Sequence, residues 1–90
     1  MAYKVLISAR AKKDLSRLPV PVGKAVYREL ASLAGETNPQ NHVKKLKGSS
    51  DPYFYSLRVG NYRVILTIDN AMMIIHVIET GHRSPIYRQY

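Results

Sequence analysis

Two residues, Gly60 and Asn61, separate the alternating runs YFYSLRV and YRVILTI, and that spacing leaves the chain little choice there. A two-residue connection between strand-like runs makes a β-hairpin. Tight turns with positive backbone angles match the right-handed twist of the flanking strands, and glycine and asparagine adopt such angles at least cost. Counting outward from the turn sets the pairs: Val59 opposite Tyr62, Arg58 opposite Arg63, Ser56 opposite Ile65 and Phe54 opposite Thr67. Alternation then predicts a core face of Tyr53, Tyr55, Leu57, Tyr62, Val64, Leu66 and Ile68, with Phe54, Ser56, Arg58, Arg63 and Thr67 on the other side. A third apolar run, MMIIHVIE, follows a turn near Asp69 and Asn70 and extends the hairpin to a three-stranded antiparallel meander.

A sheet with one apolar face needs a cover, and the first third of the chain supplies it. YKVLIS reads as a short strand with Tyr3, Val5 and Ile7 on one side. Ser8 is placed to cap a helix over residues 9–18, in which Ala11, Leu15 and Leu18 form a stripe while Lys12, Lys13, Asp14 and Arg17 face water. The prolines at 19 and 21 stop that helix. Pro21 suits the first turn of a second one, where Val22, Val26, Leu30 and Leu33 recur at helical spacing and Gly35 ends the run. ETNPQN is a polar loop, and HVKKLKGSSDP is a basic segment ending in turn residues.

The expected fold is therefore α+β: a mainly antiparallel four-stranded sheet packed on a helical hairpin, in the order β-α-α-β-β-β. Residues 1–90 make a single domain, since so short a chain holds one core, and 46% hydrophobic against 22% charged residues separates it from disordered sequences. After the last strand comes GHRSPIY. Gly81 allows a sharp exit, and Ser84 with Pro85 start a short C-terminal helical segment that carries Tyr87 back over the sheet edge.

Cysteine is absent, which excludes disulfides, thiolate nucleophiles and cysteine-bound metals. No apolar run approaches the ~18 residues of a membrane span, and the chain reads as cytoplasmic with no membrane partner. Lys and Arg number 14 against 6 acids, a formal charge of +8. That surplus favours polyanionic partners, either nucleic acid or an acidic protein.

Arg58 and Arg63 opposite each other repel, and an anion between them would relieve the repulsion, because the guanidinium fork suits the paired oxygens of a phosphate. Arg83 and Tyr87 follow the last strand beside that face, while Lys44, Lys45 and Lys47 approach from the segment before the meander. The set contains arginines and a tyrosine but no carboxylate. His76, inside an apolar strand, reads as a packed residue. His82, in the exit loop, is the histidine placed for catalysis or phosphate contact.

The segments KLKG, YSLRVGNYRVILTID and GHRSPIY, with the opening strand and basic helix, make the chain resemble the RelE branch of the RelE/ParE toxins of type II toxin–antitoxin pairs. The resemblance covers nearly the whole chain. It implies a toxin that enters the ribosomal A site and cuts messenger RNA without a metal or other cofactor, inhibiting translation. The same resemblance implies neutralisation by a cognate RelB-like antitoxin, with a toxin–antitoxin heterotetramer as the assembly. By the same likeness Arg63, Arg83 and Tyr87 are the catalytic residues and Lys47 matches a basic position of that branch, while the placement of the residues themselves adds His82 as a further catalytic candidate and Lys44, Lys45, Lys47, Ser56 and Arg58 as the RNA-binding set. One departure stands out: Phe54 and Ser56 occupy the two positions where well-studied members carry lysines, one of them thought to be the base. The ParE branch shares the fold but inhibits DNA gyrase and cuts no RNA, and a toxin reduced to antitoxin binding is the third reading.

Overall fold

A computed structural model of the chain describes residues 2–46 and 53–82. Its elements are β1 (Lys4–Ile7), α1 (Ala9–Ser16), α2 (Val20–Ala34), a 3-10 turn (Pro39–His42), β2 (Lys44–Lys45), β3 (Phe54–Val59), β4 (Tyr62–Asp69) and β5 (Ile74–His82). The sheet order is β1-β5-β4-β3-β2, with β1 parallel to β5 and every other pair antiparallel. The α+β class and the element order are as the sequence predicts.

The hairpin register is the one obtained by counting from the turn. Val59 pairs with Tyr62, Arg58 with Arg63, Ser56 with Ile65 and Phe54 with Thr67. Gly60 takes a φ of 59°, the left-handed value that a turn between twisted strands requires. On the helix side Leu57, Val59, Val64, Leu66, Ile75 and Val77 meet Ala11, Leu15, Val26, Leu30, Leu33 and Ala34 in one core. Among the described residues no helix is long and apolar enough to cross a membrane.

Three expectations change. The sheet has five strands and not four, because Lys44 and Lys45 add a two-residue strand to the outer edge of β3. Two residues show no alternation, and what makes them a strand is the row of unpaired groups that an edge presents. Helix α1 ends at Ser16, ahead of the expected Leu18, since the residue before Pro19 is driven out of the helical region. Strand β5 continues through Gly81 and His82, which pair with Arg63 and Tyr62, so neither lies in an exit loop. The ladder runs that far because β4 begins only at Tyr62. The C-terminal helical segment lies outside the described residues.

A bulge in β5 has consequences for the second face of the sheet. Val77 pairs with Leu66 and Glu79 with Ile65, leaving Ile78 as the inserted residue. One extra residue inverts the alternation beyond it, so Glu79 shares the face of Ile65 when it would otherwise point into the core.

Strand β1 covers only the first half of β5, and α1 closes the rest of that edge. The Ser8 amide donates to the Val77 carbonyl at 3.0 Å, the Ser8 hydroxyl to the Ile78 carbonyl at 2.8 Å, and the Thr80 amide to Asp14 Oδ2 at 3.2 Å. Ser8 Oγ also accepts from the Ala11 amide at 3.0 Å, as the predicted cap. One hydroxyl thus starts the helix and fastens it to the sheet. Ser8→Ala is expected to lower the unfolding free energy by about 1–2 kcal/mol, read from urea denaturation, because both bonds are lost.

Candidate functional site

The face of the sheet turned away from the helices is organised in rows. One row crosses four strands as Lys44, Ser56, Ile65 and Glu79, and the next runs Arg58, Arg63 and Gly81. Ile65 is fully buried and packs with Leu46, Phe54 and Ile78 in a small second cluster. This face is therefore not the polar surface that alternation alone suggests. Its apolar centre packs between the strands that carry the charged groups.

The two facing arginines have different surroundings. Arg58 is exposed, with its Nε 3.4 Å from the Gly60 carbonyl, whereas Arg63 is only 6% exposed and directs Nη1 toward the Tyr62 carbonyl at a long 3.5 Å. Opposite Arg63, Gly81 presents no side chain. Glu79, 3% exposed, stands on the same face diagonally from Arg63 and binds Arg10 Nη2 at 2.8 Å. A buried carboxylate so near offsets part of the repulsion between the arginines. Arg10 comes from the first turn of α1, reaching around the edge that Ser8 closes. The Thr80 hydroxyl donates to the Arg63 carbonyl at 3.0 Å and, with the Thr80 amide bonded to Asp14, links α1 to the backbone that carries Arg63.

Sequence reasoning missed Glu79, Arg10, Asp14 and the apolar cluster, and it described the site as free of carboxylates. Glu79 closes the run MMIIHVIE, and nothing local distinguishes it from a solvated strand end. Only the bulge places it beside Arg63.

The remaining predicted residues divide. Lys44 is exposed and in register with Ser56, so it belongs to the arginine face. Lys45 belongs to the other, with Nζ 3.6 Å from the centre of the Tyr53 ring. Ser56 is buried, and among the described residues its Oγ has no hydrogen-bond partner. His82 pairs with Tyr62 and meets its ring edge-on at 5.6 Å, on the side opposite Arg63, so the structure does not bring His82 and Arg63 together. His76 is half-buried and helps to line a separate cleft of about 620 Å³ with Tyr53, Tyr55 and Asp69. Lys47, Arg83 and Tyr87 lie outside the described residues.

Architecture and site together define a small basic α+β domain that concentrates guanidinium groups on the face of its meander remote from the helices. Known proteins place that class. The model of the family described as ParE toxin of type II toxin–antitoxin system, parDE, matches residues 5–87. Toxin RelE of Mycobacterium tuberculosis is 33% identical over 90 residues, covering 96% of this chain and 87% of that protein. The mRNA interferase toxin RelE of Escherichia coli is 28% identical over 91 residues, covering 99% and 94%. Among solved structures, the toxin in the archaeal RelE–RelB complex from Pyrococcus horikoshii superposes with a TM-score of 0.78 at 29% identity, over 94% of this chain and 99% of that one. The toxin–antitoxin complex RelBE2 from Mycobacterium tuberculosis gives 0.75 at 28% identity, over 92% and 100%. The chain belongs to the ParE toxin family of type II toxin–antitoxin systems, in its RelE branch.

Proposed function

We propose that this toxin is a ribosome-dependent endoribonuclease that cuts messenger RNA in the ribosomal A site and is neutralised by a RelB-like antitoxin. The observation that carries the reading is Arg63. It sits on a central strand, nine-tenths buried, on a face that also bears Arg58 and Lys44. A guanidinium held in place before substrate arrives is suited to charge that develops during a reaction, since little reorganisation remains to be done. The relative named mRNA interferase supports the same reading, and the RelE–RelB complexes among the solved relatives support the antitoxin.

RNA supplies its own nucleophile. The 2′ oxygen forms a bond to the adjacent phosphorus while the bond from phosphorus to the 5′ oxygen breaks, giving a 2′,3′-cyclic phosphate and a 5′-hydroxyl. One proton leaves the 2′ oxygen and one reaches the 5′ oxygen. The route requires no metal. Arg63 and Arg83 take the charge on the phosphoryl oxygens through their forked donors. Tyr87 handles a proton. Arg58, Lys44, Lys47 and Ser56 serve the RNA around the reacting bond, and Lys45, set against Tyr53 on the opposite face, is given no part there. His82, turned toward Tyr62, is given no step.

With so sparse a set of proton-transfer groups, orientation has to come from elsewhere, and the ribosome is the partner that would hold the RNA in line. Purified protein added to in vitro translation, followed by mapping of mRNA 5′ ends, tests this directly. Cuts within A-site codons that disappear when antitoxin is added are the expected result. Intact mRNA together with inhibition of DNA gyrase would overturn the nuclease reading in favour of the gyrase inhibitor.

A further inference from the structure

Glu79 puts a negative charge on the very face that bears the arginines. The inserted Ile78 turns it there, in the row next to Arg63 and diagonal to it, and at 3% exposure water screens its charge poorly. A carboxylate and a phosphate compete for the same guanidinium fork. Such a carboxylate works against binding of a polyanion unless a cation from elsewhere holds it.

Arg10 is that cation, and it comes from another element. Its Nη2 lies 2.8 Å from Glu79 Oε2, although the Arg10 side chain as a whole is 59% exposed. One turn further along α1, Asp14 stands 3.9 Å from Arg10 Nε and accepts from the Thr80 amide at 3.2 Å. Thr80 then donates its hydroxyl to the Arg63 carbonyl at 3.0 Å. Ser8 and Asp14 already fasten α1 to β5 by hydrogen bonds, so what Arg10 adds at this junction is charge.

We infer that Arg10 is a positioning residue for the arginine face and acts through Glu79. It holds the carboxylate toward α1 and balances its charge, so that the guanidinium of Arg63 meets the phosphate without an uncompensated anion beside it. Arg10 itself touches no reacting atom, and no bond or proton is added to the step already given. The inference rests on the nuclease reading, and it gives an exposed helix residue a part in a reaction on the far side of the sheet.

The test is single-turnover cleavage on mRNA-programmed ribosomes at saturating toxin, at a temperature where thermal denaturation shows each variant folded. Arg10→Ala is expected to cut about tenfold more slowly, within the range of couplings inside one ion-pair network. Arg10→Ala leaves a buried carboxylate uncompensated and should also lower Tm, so Arg10→Gln, which keeps a stem and a donor without the charge, is the second arm and should be slowed as well. Arg10→Lys should recover most of the rate, and Lys12→Ala, on the solvated face of α1, should match the parent. The decisive variant is Arg10→Ala combined with Glu79→Gln, which should cut much faster than Arg10→Ala alone because the competing charge is gone. Folded Arg10→Ala and Arg10→Gln that both cut at the parental rate, whatever their Tm, make the ion pair merely structural and overturn the inference. A double variant as slow as Arg10→Ala overturns it too, since Arg10 would then not act through Glu79. Either result leaves the nuclease reading standing, because the parent still cuts. A parent that does not cut at all overturns that reading, and the role of Arg10 with it.

Discussion

Arg63→Ala is expected to lower the single-turnover rate of mRNA cutting by about 10²–10³-fold, while Arg58→Ala costs about tenfold or less. The two residues are register partners of the same chemical type, so composition cannot separate them. Burial does. Arg63 is 6% exposed and anchored on a strand whose neighbours are packed, whereas Arg58 is exposed near the hairpin turn and must be ordered when RNA binds. Because deleting a buried side chain can also destabilise the fold, Arg63→Lys is the second arm. It keeps the charge and stem but loses the planar fork, and it should remain folded by thermal denaturation while cutting well below the parental rate. If a folded Arg63→Lys and a folded Arg63→Ala both cut at the parental rate, Arg63 is not at the reacting phosphate.

Tyr87→Phe is expected to lower cutting by about 100-fold or more, the range typical of a general acid or base. The substitution keeps the ring and removes only the hydroxyl. A ring that served only to stack on a base would behave differently, with Tyr87→Phe nearly intact and Tyr87→Ala inactive. Measuring both variants on programmed ribosomes therefore distinguishes proton transfer from stacking. Arg83→Ala belongs in the same series, with relief of growth arrest on expression as its readout.

Much of this architecture could be read from residues close together in the chain. The Gly60–Asn61 turn determined every pair between β3 and β4, because a two-residue connection leaves the register no freedom. Ser8, Pro21 and Gly35 marked helix ends through local backbone chemistry, and Val26, Leu30 and Leu33 showed by spacing which side of α2 is buried. The arginine pair at positions 58 and 63 followed from the register alone. Each of these inferences needs information that spans only a few residues.

What only the tertiary structure decided depends on partners far apart in sequence. Strand β2 exists because β3 has an open edge, and its register sends Lys44 to Ser56 while Lys45 meets Tyr53. The insertion of Ile78 is a property of how β5 pairs with β4, yet it alone turns Glu79 from the core toward Arg63 and within reach of Arg10. Alternation assigns a side chain to a face but does not say what covers that face, so the burial of Arg63, Ser56 and Ile65 appears only when the sheet is assembled. Propensity and spacing act between neighbours in the chain, whereas edge pairing, bulges and burial depend on packing between segments that only folding brings together.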